Sequence, residues 1–352
     1  MGAAFLFIGH VALAETAPAS NITIQGKTFY KDGNPWLPKG IQVEAFNRPA
    51  TIPSAASGMN QAAAKARSYW GAAEINAIKK VFGADTVRFQ ISQPALDPQS
   101  PIYDPNYLAE LLTVFKQARD AGFVVIVSMD AQAENGLPNI ACMPDDSTVR
   151  AWTTLTPKLI SDHGVMFEPF NEPCRASWKD AQAEWARGMQ SVVDAIRGLG
   201  ASNILLLDGL EFAQSVNGLF PLLHDRLPNR LAMATHPYVN SLKGVDLNNL
   251  DRYFAGRFGA TAAQYPLIAT EWNATTTNGC VGDVTPRIAM ALVRYIQSAR
   301  IGLIGWAIDS EYGKMVRDHT SYEPTDYTTF SGCTKTPSIS GAGKLIANFP
   351  NN

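Results

Sequence analysis

The sequence predicts an α/β protein, a single (β/α)8 barrel of the TIM type preceded by a short N-terminal β-hairpin, and three observations carry that prediction. Eight apolar, β-branched-rich runs are each short enough to be a buried strand. Between them lie segments with apolar residues at helical spacing, and several of these end at a glycine just before the next strand. The strand starts fall mostly about 28 to 48 residues apart, the length of a βα unit rather than of a solenoid repeat. Eight parallel strands with intervening helices close most naturally into a barrel, a doubly wound open sheet being the alternative. No Pro-, Gly- or Ser-rich linker divides the chain, so residues 21–352 read as one domain.

Taken in order, residues 2–11 form a short apolar run ending in Ala12-Leu13-Ala14, the small-x-small pattern of a signal-peptidase site. Residues 1–14 are therefore expected to be a signal peptide and the protein to be secreted or periplasmic. The run is well short of the roughly 20 apolar residues that span a bilayer. Residues 22–40 alternate strand-like side chains around Asp32-Gly33, the signal for the hairpin. The barrel strands are expected at 37–43, 86–91, 123–129, 165–170, 204–207, 231–235, 266–270 and 303–308. Helices are expected at 74–82, 107–121, 149–162 and 286–299. A fifth, the clearest, is marked by Trp178, Ala181, Trp185, Met189, Val192, Ile196 and Leu199 on one apolar face, ending at Gly200.

Composition removes several function classes. Hydrophobic residues make up 46% of the chain and charged residues 17%, so it buries a sizeable core and is not disordered. Lys plus Arg number 29 against 31 for Asp plus Glu, which leaves no basic field for nucleic acid or an anionic membrane. The four cysteines, Cys142, Cys174, Cys280 and Cys333, are an even number in an exported chain, so one or two disulfides are expected, with three full connectivities open. No CxxC pair supports a zinc ribbon or redox motif, and five scattered histidines without HExxH give no metal site.

In barrels of this kind the reacting groups sit where strands end. The polar candidates are Arg88 and Gln90 in the second strand, Asp130 after the third, Asn171 and Glu172 after the fourth, Asp208 and Glu211 after the fifth, His236 and Tyr238 after the sixth, Glu271 after the seventh, and Trp306 and Asp309 in or after the eighth. The sharpest local signal is Phe167-Glu168-Pro169-Phe170-Asn171-Glu172-Pro173; the second is Leu267-Ile268-Ala269-Thr270-Glu271-Trp272. Glutamates ending strands four and seven would face each other across a barrel mouth. Cleaving a glycosidic bond requires such a pair, one acid to protonate the leaving oxygen and one carboxylate to attack or to activate water.

With these residues in order, the chain resembles glycoside hydrolase family 5, the cellulase family, within the clan of barrel glycosidases that carry glutamates on strands four and seven. The resemblance spans nearly the whole mature chain and rests on Asn171-Glu172-Pro173, Arg88, His236-Pro237-Tyr238, Glu271 and Trp306. It implies that Glu172 is the acid/base and Glu271 the nucleophile, with Arg88 holding Glu271 ionised and Asn171 bonding the sugar 2-hydroxyl. By the same likeness His236 and Tyr238 orient the two glutamates, and Trp306 offers a flat face to a pyranose ring. The family usually has histidine at the end of strand three, where this chain reads Ser128-Met129-Asp130. Asp130, or alternatively Gln132 or Glu134, is expected to make a different sugar contact there.

Other residues have plainer readings. Glu168, two pleats before Glu172, is expected to be a buried, paired structural carboxylate. Trp178 and Trp185 lie on the apolar helix stripe and belong to the core; Trp36 and Trp70 are undecided; Trp272 is a candidate subsite wall. Asp208, Glu211, Asp309 and Glu311 read as loop or supporting acids, with Glu311 a candidate for a plus-side subsite. Gly341-Ala342-Gly343-Lys344 lacks the spacing of a phosphate loop and fits the cap of a last helix.

The function this implies is a retaining, endo-acting β-glycosidase that hydrolyses a β-linked glucan, most simply a β-1,4-glucan, through a covalent glycosyl–Glu271 intermediate. No cofactor and no metal are required for that chemistry, and the partner is a β-linked polysaccharide or oligosaccharide, with no nucleic acid, no stable membrane association and a monomeric state. A β-mannan, a β-1,3-glucan, an exopolysaccharide or transglycosylation are alternatives within the class. A barrel that binds glycans without turning them over, and an aldolase or isomerase, are alternatives outside it; the last lacks a lysine at any strand end.

Overall fold

The computed structural model describes residues 20–52, 65–137, 141–175 and 178–351. The expected signal peptide, residues 1–14, lies outside the described residues. The described part of the chain opens with β1 (Ile22–Gln25), β2 (Thr28–Lys31) and β3 (Asn34–Trp36), an antiparallel three-stranded sheet. This extends the single hairpin expected there, because the chain reverses at Gly26-Lys27 as well as at Asp32-Gly33. Gly26, Asp32 and Gly33 take φ of 60°, 54° and 80°, the positive values that two-residue hairpin turns need. Gly-Lys is a weaker turn signal than Asp-Gly and is easily passed over in the sequence.

The next eight strands are β4 (Lys39–Val43), β5 (Thr86–Ser92), β6 (Val124–Asp130), β7 (Val165–Glu168), β8 (Leu205–Asp208), β9 (Leu231–Thr235), β10 (Leu267–Trp272) and β11 (Gly302–Gly305). They close into a parallel barrel in chain order, with β11 pairing both β10 and β4. Each overlaps one of the eight expected runs. All their residues are buried, since helices cover the outside and side chains fill the inside, and this is why the strands read as continuous apolar runs rather than alternating ones. The fold is thus the expected TIM barrel, and the open-sheet alternative is excluded by the β11–β4 pairing.

Five helices lie where helical spacing predicts them: α1 (Ala72–Lys80), α2 (Pro105–Asp120), α3 (Asp146–Leu155), α4 (Trp178–Gly198) and α5 (Thr285–Ser298). Local chemistry sets their ends. Asp104 and Asp145 accept backbone N–H groups of the first turns of α2 and α3, a capping arrangement. α3 stops seven residues before the expected end because Pro157 has no N–H to continue it, and the chain tightens into the 3-10 turn Thr156–Lys158. Gly343–Ala347 forms the last helix, the plain reading of its Gly-Ala-Gly-Lys start. Among the described residues no α-helix separates β8 from β9, so the repeat is imperfect at its fifth unit.

Two apolar layers hold this together. Outward-facing strand residues pack against the helices, with Trp152 and Trp185 fully buried among them. Inside the barrel, Val124, Ile126, Met166, Leu206, Ala234, Ile268 and Ile304 stack on Ile22, Ile24, Phe29 and Trp36 of the N-terminal sheet, which therefore plugs the bottom of the barrel. Trp36 is structural: its Nε1 donates to Asp85 Oδ2 at 2.6 Å. Two disulfides, Cys142–Cys174 and Cys280–Cys333, select one of the three connectivities. No helix among the described residues is long and apolar enough to cross a membrane.

Candidate active site

Period-two alternation carries the apolar inner layer upward into a polar one. Ile126 is followed on its face by Ser128 and Asp130, Met166 by Glu168, Leu206 by Asp208, Ala234 by His236, Ile268 by Thr270 and Ile304 by Trp306. The C-terminal mouth of the barrel is thus lined by polar side chains from nearly every strand. Above them opens a cleft of about 280 Å³ whose walls include both Glu172 and Glu271.

Arg88 is the centre of the polar layer and is fully buried. Its guanidinium grips Glu168 with two bonds, Nε to Oε2 at 2.8 Å and Nη2 to Oε1 at 3.0 Å. A further bond runs from Nη1 to Glu271 Oε2 at 2.8 Å, and Nη2 also donates to Asn171 Oδ1 at 2.7 Å and Ser128 Oγ at 2.9 Å. Gln42 accepts from Nη1 as well. Only the planar five-donor fork of arginine can serve two carboxylates and three neutral acceptors at once. Burial opposes a charge on Glu168, but Arg88 and His236 outweigh it and hold this carboxyl well below the usual range. Glu168 is therefore the buried, paired structural carboxylate that its strand position predicts.

Glu172 and Glu271 approach each other across the mouth, with a carboxylate oxygen of each within 4.8 Å of the other. Glu172 does not arrive by continued pleating. β7 ends at Glu168, and Glu172 sits in the left-handed region at φ 53°, its N–H donating to Asp208 Oδ2 at 2.8 Å. Its two oxygens are engaged separately, Oε1 with His236 Nδ1 at 2.8 Å and Oε2 with Gln132 Nε2 at 2.9 Å. Glu271 reaches the mouth because the register of β10 against β11 shifts between Ala269 and Trp272, so Thr270 and Glu271 both serve the site. Tyr238 donates its hydroxyl to Glu271 Oε1 at 3.1 Å.

The electrostatics of the pair are opposed rather than one-sided. Burial, with Glu172 adding to it, pushes the Glu271 carboxyl above the usual range, while His236 and Arg88 pull it down. Arg88 thus offsets the cost of burying Glu271 without cancelling it. Burial alone would make His236 harder to protonate, yet Glu271, Asp208, Glu168 and Glu172 around it raise its pKa well above the ordinary value. Carboxylate and imidazole atoms of Glu168, Asp208 and His236, and of Glu172, His236 and Glu271, lie within 4.8 Å of one another. A cation could use such spacing, but here the positive charge is already supplied by Arg88 and His236.

The outer cleft adds groups the sequence reading passed over. Trp306 lines it as expected, and its Nε1 donates to Glu44 Oε1 at 2.8 Å. Burial, Asp309 and Glu271 raise the Glu44 carboxyl well above its usual range. Glu44 lies two residues after Gln42 on the same face, a period-two signal obscured by the turn that follows. Asp309 fastens this corner by accepting the Glu44 and Ala45 N–H groups at 2.9 and 2.8 Å. Phe212 stands in the cleft wall 47% exposed, at the middle of three consecutive residues, Glu211, Phe212 and Ala213, with φ of 56°, 59° and 56°. That left-handed turn is tied to the Glu172 segment through Phe212 N–H to Pro173 O at 3.0 Å, and Glu211 is paired with Arg257.

Several expected placements change. Asp130 is fully buried at the end of β6, accepting from Gln90 Nε2 at 2.6 Å and Asn171 Nδ2 at 3.3 Å, so it braces Asn171. Gln90 and Gln132 form the cleft wall at that point; the Glu134 side chain lies outside what is described. Asn171 is 1% exposed, with its amide held between Arg88 and Asp130. Trp272 is not a subsite wall: past the β10 irregularity it turns into the outer core, 2% exposed. Trp70 is packed against Phe46 and Phe89. Glu311 makes an exposed ion pair with Lys65 at 2.9 Å, away from the cleft walls. The Trp178 side chain lies outside the described residues.

Residues 47–311 match the family described as cellulase (glycosyl hydrolase family 5). No curated protein matches the sequence. Among solved structures, a β-glucanase from Saccharophagus degradans in complex with cellotetraose is 17% identical, with a TM-score of 0.66 and 97% of each chain covered. An endocellulase from Pyrococcus horikoshii with cellotetraose is 14% identical over 87% of this chain and 96% of that one, at a TM-score of 0.66. A β-mannanase from Thermomonospora fusca is 16% identical over 87% and 92%, at 0.58. At these identities the solved structures speak for the fold, and the family match covers most of the chain. The protein with this Arg88-centred, two-glutamate barrel mouth belongs to glycosyl hydrolase family 5, the cellulase family, and is a glycoside hydrolase acting on β-glycosidic bonds.

Proposed function

We propose that this enzyme is a retaining, endo-acting β-glucanase that works by double displacement, with Glu271 as nucleophile and Glu172 as acid/base. The observation that carries the reading is the approach of the two carboxylates to within 4.8 Å. Inverting enzymes keep their carboxyl groups roughly 6.5–9.5 Å apart to admit a water, whereas retaining ones hold them about 5–5.5 Å apart. In the first step Glu172 gives its proton to the glycosidic oxygen while Glu271 attacks the anomeric carbon. In the second, Glu172 takes a proton from water, and that water displaces Glu271. Arg88 and Tyr238 each bond one oxygen of Glu271 and fix its orientation, and His236 holds Oε1 of Glu172. Buried Asn171 turns one amide hydrogen toward Asp130 and keeps the other for a sugar hydroxyl at the reacting ring.

The substrate assignment rests on the cleft. Its open shape and its two aromatic walls, Trp306 on one side and exposed Phe212 beside the acid, suit stacking against pyranose rings of an extended chain on both sides of the cut. The solved neighbours with cellotetraose favour a β-1,4-glucan, and the β-mannanase keeps β-mannan as the second reading. We also propose export to the periplasm or medium, in keeping with two disulfides and no free cysteine among the described residues. The test is reducing-end release from soluble β-1,4-glucan, β-1,3-glucan, β-mannan and microbial exopolysaccharides, with Glu271→Gln alongside. A 2-deoxy-2-fluoroglycoside should add one sugar mass to Glu271 in the wild type. Products of inverted configuration, or activity surviving Glu271→Gln, would overturn the mechanism.

A further inference from the structure

We infer that Asp208, a residue with no part in the bond-breaking steps, is a positioning residue that builds the acid/base: as a neutral carboxylic acid it holds the Glu172 backbone in its left-handed conformation from beneath. The inference rests on Glu172 being the acid/base. Asp208 ends β8 on the inward face that Ile204 and Leu206 begin, and it is fully buried. Its main-chain carbonyl is fixed by Trp185 Nε1 of α4 at 2.8 Å, so its side chain has a set origin. Glu172 has left the β7 ladder at φ 53°, and its N–H has no strand partner to accept it; Asp208 Oδ2, at 2.8 Å, does so. A left-handed residue other than glycine persists only when its surroundings over-determine it. The bond to Asp208 is the contact that does this at the backbone, while His236 and Gln132 fix the carboxylate end.

The neutral state follows from the neighbours. Groups facing Asp208 are Arg88 from β5, Glu168 from β7, the Glu172 backbone past its end and His236 after β9, and Glu271 from β10 adjoins the same two cations. With Glu172 carrying the proton it must donate, the cations Arg88 and His236 balance the anions Glu168 and Glu271 one for one. A third buried anion would be uncompensated, and such a charge is costly in a dry interior. Asp208 Oδ1 is itself buried without a hydrogen-bond partner in the structure, a poor place for a bare anionic oxygen. A protonated Asp208 carboxyl has the Glu168 carboxylate beside it as hydrogen-bond acceptor. Burial first, and then Glu168, push the Asp208 carboxyl well above its usual range, which agrees with this assignment.

Asparagine and alanine separate the possibilities. Asp208→Asn keeps an oxygen for the Glu172 N–H and adds no charge, so kcat, KM and both limbs of the pH–rate profile should stay near wild type. Asp208→Ala removes the acceptor; kcat should fall on the order of 10²-fold, as for a misplaced catalytic group, with KM little changed. An Asn variant as damaged as Ala, or with a shifted pH profile, overturns the inference, as does an Ala variant with unchanged kcat. A substrate-free measurement decides the protonation even where Ala fails to fold: with carboxyl-carbon-13 aspartate, the resonance missing from Asp208→Asn should stay at the protonated position from pH 5 to about 8. If that resonance moves to the ionised position near the ordinary aspartate pKa, Asp208 is charged and the inference fails. Wild-type silence on every glycan with the resonance still protonated would instead count against the proposed activity.

Discussion

Replacing Arg88 with methionine removes the buried cation while keeping roughly its volume. Glu168 and Glu271 are then left as neighbouring buried carboxylates, and Gln42, Ser128 and Asn171 each lose a donor. Breaking one partner out of a buried ion pair costs about 3–5 kcal/mol. For a 352-residue chain the unfolding entropy is about 0.7 kcal/mol/K, so Tm should fall by about 4–7 °C. The pH dependence fixes the cause. Glu168 is held well below its usual range in the fold, so its pairing stabilises the protein above the unfolded carboxyl pKa of about 4.3, and that contribution is lost as pH falls through the folded value. The gap in Tm between wild type and variant should be widest at neutral pH and narrow below about pH 4. Without Arg88, Glu271 is harder to ionise, so the acid limb of the pH–rate profile moves to higher pH. Arg88→Lys keeps the charge but not the fork and should fall between the two. Calorimetry across pH with initial-rate profiles checks this; a methionine variant with wild-type Tm at pH 7 and an unmoved acid limb would refute the network described here.

Other expectations follow from single features. Glu172→Gln should lower turnover of polysaccharide by about 10²–10⁴-fold, yet largely spare glycosylation from an aryl glycoside with an acidic phenol, which needs no proton; steady-state rates on both substrates test this. Closing loops across separations of 32 and 53 residues, the two disulfides should each contribute about 4 kcal/mol, so paired Cys→Ser variants should lose similar Tm. Only loss of Cys142–Cys174, two residues from Glu172, should also lower kcat. Gly313 packs on the Trp306 ring so closely that an added Cβ would lie 2.1 Å from its atoms. Gly313→Ala should therefore cost about 1–3 kcal/mol and, by tilting Trp306, raise KM for long oligosaccharides more than for short ones.

The architecture was legible because a barrel strand buried on both faces is a short apolar run, a pattern that survives without any homologue. Arg88, Asn171, Glu172, His236, Tyr238, Glu271 and Trp306 stand within or just after the apolar runs in the sequence and do meet at one mouth. What could not be read depends on departures from regular alternation. The register shift in β10 sends Glu271 inward and Trp272 outward, and no property of either residue announces it. Asp130 occupies the place where a sugar contact was expected, but it is fully buried and its carboxylate is engaged by Gln90 and Asn171. Glu44 and Phe212 lie on loops, where side-chain direction is set by turns such as the left-handed run at Glu211 to Ala213.

The bond from Arg88 to Glu271 joins residues 183 positions apart in the chain. A ribosome must therefore deliver nearly the whole barrel before Glu271 meets its counter-ion, while Arg88 already has Glu168 of β7 to pair with. Hydrolytic competence and ring closure become one event: nascent or truncated chains that end before β10 cannot cut a glycan, and turnover itself reports that the last strands have docked.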